Sequence, residues 1–401
     1  MRDPQLLTVL FLLAFPTPST AQETPTRPAE GRLDPAVLAR IEERGQELVD
    51  GLVERGSPGA SAALVLPDGS RLTMVAGVDS LEDGRPLTAA DRMLSGSVGK
   101  TYVTALAHFL IHAGKLDLDA TAASYFEGVD AEWLERLPNA REVTLRQLLR
   151  HQSGIPRWVF QPAFERDLAD PDRTFTPEQC LAYVYDMDPL FAPGEGWSYA
   201  DTNYLVVGMV IERVTGETFY DQAREHLIEP LGLVDTVPSD QREIPGIVQG
   251  HVVLLESMAG GDRTLEKGRF VFNPQFEWCG GGWASTPLDL ARWARLLYGG
   301  LALGAEEGGA YLETLLDAVD APGLGRGTRY GLGAMLRDTP AGLCVYHDGI
   351  MPGYLTSMGW FPESGIAGAL QVNTDDARAL GRPLGMLLVQ LASIAREELA
   401  R

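Results

Sequence analysis

The chain has 401 residues, 45% of them apolar and 22% charged, the make-up of an ordinary globular protein with one large or two interleaved domains. Its formal net charge of −22 argues against nucleic acid and against anionic membrane surfaces as partners. Cys180, Cys279 and Cys344 stand far apart, with no CxxC pair and no Cys/His spacing that suits a metal, so no metal or other cofactor is expected.

Residues 1–21 read as an export signal. Leu6 to Phe15 is a short apolar run, too brief to span a bilayer, and Ser19-Thr20-Ala21 offers small residues for cleavage before Gln22. The alternative is an uncleaved anchor. The expected location is periplasmic or secreted, and no later stretch suits a membrane span. Residues 22–33, rich in Pro, Thr and Glu, read as a disordered leader. Asp34-Pro35 then opens a helix, with Asp34 as cap and Pro35 in the first turn, and Val37, Ile41, Leu48 and Leu52 carry a helical apolar spacing to about Arg55. Ala60 to Leu66 and Arg71 to Gly77 read as strands joined by the turn Pro67-Asp68-Gly69-Ser70. A helix is predicted from Ser97 to Ala113 and stops at Gly114.

Residues 115 to about 250 are expected to be mostly helical, broken by Pro-rich loops. Thr286-Pro287 starts a helix to about Tyr298. Tyr330 to Leu336, Leu343 to His347, Ser357 to Phe361 and Ile366 to Asn373 are strand candidates, and Pro383 to Leu399 is a closing amphipathic helix. Strands at both ends with helices between predict an α/β (α+β) fold. An antiparallel sheet flanked by helices is built from 34–110 and 255–401, and a mostly helical domain, 111–254, is inserted.

The chain holds only three lysines among its 33 basic residues. One, Lys100, follows Ser97 by three positions, which on a helix places the two on one face. Lysine can shift its pKa and accept a proton, as arginine cannot, so the pair is a nucleophile beside a candidate base. Gly99-Lys100-Thr101 resembles the end of a phosphate-binding loop, but Leu94 stands where that loop needs glycine. A Gly-x-Ser-x-Gly elbow fails likewise, at Ser95.

Ser97-Val98-Gly99-Lys100, Tyr199-Ala200-Asp201 and His347-Asp348-Gly349 follow one another along the chain. Two further segments accompany them: a leucine-rich stretch ending in His151-Gln152-Ser153-Gly154-Ile155-Pro156, and Gly280-Gly281-Gly282 before Ser285-Thr286. In this order they resemble the Ser-x-x-Lys, Tyr-x-Asn and Lys/His-x-Gly motifs of the serine β-lactamase and penicillin-binding-protein superfamily. The resemblance is to its class C-like branch of β-lactamases, D-Ala-D-Ala carboxypeptidases, D-aminopeptidases and esterases, and it spans roughly residues 35 to 395.

The resemblance implies a β-lactamase/transpeptidase-like fold and an acyl-enzyme formed on Ser97. Lys100, held near neutral or sharing a proton with Tyr199, would serve as base, and Tyr199 would shuttle the proton to the leaving group. The backbone N–H groups of Ser97 and Ile350 would hold the oxyanion. Gly349 and His347 would edge the site, with His347 near the tyrosine hydroxyl. His151 is expected to be structural, and Trp283 and Tyr354 either line the pocket or pack. Asp201 replaces the more frequent asparagine, cannot donate when ionised, and would raise the pKa of Lys100. Asp348 replaces a hydroxyl residue and would repel a substrate carboxylate if it faced the site.

Both departures favour a neutral ester or amide, or a substrate bearing an amine, over a β-lactam or a D-Ala-D-Ala substrate. An esterase or a D-amino-acid peptide or amide hydrolase is therefore expected ahead of a β-lactamase, with a small-molecule ester or amide or a peptidoglycan-like peptide as substrate. The alternative is a catalytically silent penicillin- or peptidoglycan-binding module.

Overall fold

The computed structural model describes residues 32–82, 84–303 and 307–401. The expected export signal and most of the leader lie outside them. Helix α1 (Pro35–Glu54) starts as expected: the Asp34 carboxylate accepts from the Ala36 N–H at 2.8 Å and Pro35 occupies the first turn. Its buried residues, Ile41, Gly45, Leu48, Val49 and Leu52, form one stripe. Strands β1 (Gly59–Val65) and β2 (Arg71–Gly77) form the hairpin, and α2 (Lys100–His112) follows the short 3₁₀ turn Gly96–Gly99. Next come α3 (Asp201–Thr215) and α4 (Pro287–Tyr298), then β3 (Val319–Asp320), β4 (Arg329–Tyr330), β5 (Met335–Thr339), β6 (Gly342–Met351), β7 (Tyr354–Phe361), β8 (Ile366–Val372) and α5 (Leu384–Leu399).

These strands make one eight-stranded sheet in the order β2-β1-β8-β7-β6-β5-β4-β3, antiparallel throughout. Every residue of β1 and β8 is buried, so both faces of the sheet centre are covered. The two-residue period of a strand divides the side chains cleanly. Ala60, Ala62 and Leu64 join the core under α1 and α5, whereas Ala63 and Val65 join the core shared with α4 and the helical region. Each Leu, Ile or Val fully enclosed there contributes roughly 1.5–3 kcal/mol.

Two expectations need correction. The single strand Tyr330 to Leu336 is two strands, because the chain turns at Gly333 (φ +64°) and the Gly331 N–H bonds back to the Ala334 carbonyl. The stretch 115–250 holds only short helices apart from α3, linked by turns. Met93–Leu94, Trp283–Ser285 and Val237–Pro238 also pair into a small three-stranded sheet too short to leave a sequence period. All three cysteines are buried and free.

One feature of the sheet positions the site. The ladder between β5 and β6 ends at Tyr346, so His347–Met351 has no strand on its outer side among the described residues. That bare edge runs against the turn that carries Ser97.

Candidate active site

Ser97 sits in the 3₁₀ turn that leads into α2, half-buried. The turn exists because Gly96 adopts φ +52°, and a Cβ there would lie 2.7 Å from the Ile350 carbonyl oxygen and 2.8 Å from its nitrogen. Gly349 is equally constrained: a Cβ would collide with the Ser95 carbonyl and fall 3.2 Å from the Ser97 nitrogen. Two glycines therefore let the bare edge of β6 touch the nucleophile turn backbone to backbone. The Ser97 and Ile350 nitrogens both lie at this seam, each beside the glycine of the other segment.

Lys100 lies one turn on and is fully buried. Its ammonium donates to Ser97 Oγ at 3.1 Å, Asp201 Oδ1 at 2.6 Å and the Gly280 carbonyl at 2.5 Å. An ammonium has three N–H groups, and each has an acceptor here. Burial opposes the charge, but the Asp201 carboxylate outweighs it and holds Lys100 above its ordinary value, with Tyr199 and Glu277 adding to the effect. The expected near-neutral lysine is thus corrected: Lys100 is a cation with no lone pair toward Ser97. The Asp201 effect anticipated from sequence prevails.

Asp201 opens α3, where the helix N-terminus favours a negative charge. Its second oxygen accepts from Arg157 Nη2 at 2.6 Å and Nε at 3.1 Å. Burial works against its ionisation, and Arg157 and Lys100 together overcome that and hold the carboxyl well below its usual range.

Tyr199 precedes Asp201 by two residues. Lys100 Nζ lies 5.1 Å and Arg157 Cζ 5.2 Å from its ring centroid. Its hydroxyl has no hydrogen bond of good geometry among the described residues. Burial raises its pKa while Lys100 and the Ser97 hydroxyl oppose the rise, so the phenol is protonated at rest. The His151 ring lies 4.1 Å from the Tyr199 ring, and its Nδ1 accepts from the Ala200 N–H at 3.2 Å. Burial keeps His151 neutral, and its place is that of a prop behind the tyrosine.

His347 differs from expectation. It is buried, its Nδ1 donates to the Asp348 carbonyl at 2.7 Å, and Nε2 must then accept from the Tyr330 hydroxyl at 3.0 Å. Its ring centroid is 6.4 Å from that of Tyr199. Its hydrogen-bond partner is Tyr330, the last residue of β4. Burial and Lys100 press its pKa down to about 3, so it stays neutral.

Asp348 alternates to the opposite face of β6 from His347. It stands opposite Ser357, and both its oxygens lie 3.2 Å from where a Cβ on Gly385 would sit. Burial pushes its carboxyl up to about 6. Trp283 and Tyr354 pack: both are enclosed, and the Tyr354 hydroxyl donates to the Val248 carbonyl at 2.6 Å.

Sequence reasoning missed three residues of this cluster. Arg157 immediately follows the Ser-Gly-Ile-Pro segment, which was its only signal. Tyr330 had none beyond being an aromatic in a strand. Glu277 is buried on the same charge cluster, with its Oε2 2.6 Å from where a Cβ on Gly281 would sit. Burial and Asp201 push its carboxyl up to about 7. Its neighbour Trp278 holds φ +37°, ψ −117°, a costly conformation for a residue with a side chain. Two residues on, the Gly280 carbonyl accepts from Lys100.

Ser97, Arg157, Trp197, Tyr199, Gly349 and Ile350 line an open cleft of about 590 Å³, which continues past Asp348 to Leu384. Among the described residues no group of His, Cys, Asp and Glu is arranged to hold a metal ion.

A serine in a turn packed against a bare strand edge, bridged to a lysine and accompanied by a tyrosine, defines the class of fold and site. The chain belongs to the Beta-lactamase family, whose sequence profile matches residues 38–391. It is 34% identical to penicillin-binding protein 4 of Amycolatopsis lactamdurans over 196 residues, 47% of each chain. It is 31% identical to esterase EstB of Burkholderia gladioli over 168 residues, 40% of this chain and 41% of that one. These stretches cover less than half of the curated relatives' length. The crystal structure of a D-stereospecific amidohydrolase from a Streptomyces species superposes with a TM-score of 0.71 at 27% identity, covering 84% of this chain and 97% of that one.

Proposed function

We propose that the chain is a serine hydrolase that cleaves esters or amides through an acyl-enzyme on Ser97. The carrying observation is the 3.1 Å contact between Lys100 Nζ and Ser97 Oγ, in a cleft edged by the bare side of β6. In this reading Ser97 Oγ attacks the substrate carbonyl and gives its proton to the Tyr199 oxygen in its phenolate form. The oxyanion sits between the N–H groups of Ser97 and Ile350. Tyr199 then returns the proton to the leaving group and later takes one from the water that frees the acyl group. Lys100 stays charged. It orients Ser97 and, with Arg157, stabilises the phenolate. His347 acts through Tyr330 as a neutral spacer, and Asp348 bounds the far end of the cleft.

An ester or amide is favoured over a β-lactam because Asp201 and Asp348 replace groups that could donate to a substrate. The esterase and the D-stereospecific amidohydrolase among the similar proteins support this breadth. Residues 1–21 support export to the periplasm or beyond, and no helix among the described residues is long and apolar enough to cross a membrane.

A silent penicillin- or peptidoglycan-binding module is the second reading, favoured by the fully occupied Lys100. The test is intact mass after exposure to a fluorophosphonate, a penicillin and a p-nitrophenyl ester, with Ser97→Ala as control. Labelling of Ser97 by the fluorophosphonate, with ester turnover, is expected. A stable penicilloyl adduct without turnover supports the silent module, and no adduct from any probe removes the hydrolase.

A further inference from the structure

Arg157 is absent from every motif, yet it lines the cleft beside Ser97 and Tyr199. Its guanidinium is fixed on three sides. Nε and Nη2 both donate to Asp201 Oδ2, at 3.1 Å and 2.6 Å. The Phe160 ring centroid lies 4.4 Å and the Tyr199 centroid 5.2 Å from Cζ, so the fork is held between two aromatic rings. The third nitrogen, Nη1, has no hydrogen-bond partner among the described residues, and the side chain is 34% exposed. The Trp197 side chain lines the same cleft.

Around the nucleophile, the neighbouring charged side chains offer no other free donor. Lys100 has all its N–H groups engaged, and Asp201 can only accept. The charges are also uneven: Lys100 and Arg157 both pair with one carboxylate, Asp201, and the nearby Glu277 carboxyl, pushed up to about 7, is only partly ionised at neutrality. A pre-oriented cationic donor with a spare N–H, set in a cleft, suits a carboxylate.

We propose that Arg157 is the specificity-determining residue for the acyl portion of the substrate, and that the portion it selects carries a carboxylate. This rests on the hydrolase assignment above and deepens it. It also reverses the preference for an amine expected from Asp348, which lines the same cleft, because the spare N–H of Arg157 stands beside Ser97 and Tyr199.

The test compares mono-p-nitrophenyl adipate, p-nitrophenyl hexanoate and p-nitrophenyl 6-aminohexanoate, acyl chains of equal length ending in a carboxylate, a methyl and an ammonium. The full chain is expected to favour the adipate half-ester over the hexanoate by tenfold or more in kcat/KM, mostly through KM, and to disfavour the amine. Arg157→Gln should bring the adipate-to-hexanoate ratio to about one, and Arg157→Lys should keep part of it. Because Arg157 also pairs with Asp201, the selectivity ratio is the readout, and a melting curve confirms that each variant folds. A wild-type ratio at or below one, or a ratio unchanged in Arg157→Gln, overturns the proposal while leaving the hydrolase intact. If no ester turns over and Ser97 resists fluorophosphonate, the hydrolase assignment falls instead. Calorimetry of adipate on Ser97→Ala then decides alone: binding that Arg157→Gln abolishes supports the proposal, and its absence overturns it.

Discussion

Replacing Asp201 by asparagine probes the balance of charge around the nucleophile. The carboxylate accepts from Lys100 at 2.6 Å and from Arg157 at 2.6 Å. Each contact is worth roughly 6 kcal/mol at that separation and an effective dielectric of about 20, before desolvation is subtracted. Removing one partner of a buried pair costs about 3–5 kcal/mol, because the other charge is left behind. Here two cations are left facing each other, but Arg157 is 34% exposed and partly screened, so about 3 kcal/mol at pH 7 is the expected loss.

The pH dependence fixes the sign. In the wild type Lys100 is held above its ordinary value, so its contribution is complete below the usual lysine range and fades only above it. In Asp201→Asn burial dominates and the folded pKa drops below the ordinary value. The unfolded chain then binds more protons in the window between the two, and the variant gains stability as pH rises toward about 10. Urea unfolding at intervals from pH 6 to pH 10 should show a gap of about 3 kcal/mol that narrows with pH. A gap that is constant, or a variant as stable as the wild type at pH 7, would refute the charge assignment made for Lys100.

Hydrolysis of p-nitrophenyl hexanoate should speed up with pH from 6 through 9, because Tyr199 is held in its protonated form at neutrality and must ionise to take the Ser97 proton; a profile peaking below pH 7 would contradict this. Gly96→Ala would place a methyl 2.7 Å from the Ile350 carbonyl. Overpacking of that kind costs about 1–3 kcal/mol, and fluorophosphonate labelling of Ser97 should slow on the order of a hundredfold if losing an oxyanion donor is the result; labelling at the wild-type rate would mean that the seam does not matter. Asp348→Asn removes a carboxyl raised from 3.8 to about 6. At 1.36 kcal/mol per unit the ceiling is about 3 kcal/mol, and the half-buried setting reduces it to about 1–2. The raised carboxyl costs stability as pH climbs from 4 through 6, so the variant should match the wild type at pH 4 and melt higher at pH 8, and equal melting at pH 8 would rule the buried-acid description out.

The main features of fold and site were legible where the chain carries a strong local period or an ordered motif. The capped helix from Asp34, the hairpin around Gly69, the helix from Pro287 and the closing helix all follow from caps, turns and apolar spacing. Ser97, Lys100 and Tyr199 were legible because three short motifs occur in one order. The rest depends on distance along the chain. Arg157 and Glu277 gain meaning only when the fold carries them to Asp201, 44 residues from the former, and an isolated Arg or Glu has no period to betray it. The same holds for His347, whose partner Tyr330 lies on another strand, and for the charge of Lys100, which three acceptors from separate segments decide.

The seam at Gly96 and Gly349 makes the machinery unequal in what it can change. Where main chain meets main chain, no side chain can be exchanged for another, so the reacting centre is held to one shape by the lack of anything to vary. The walls at Arg157, Trp197 and Asp348 are side chains standing clear of that seam. New substrates can thus be reached by altering the walls while the joint that performs the acyl transfer is left as it is.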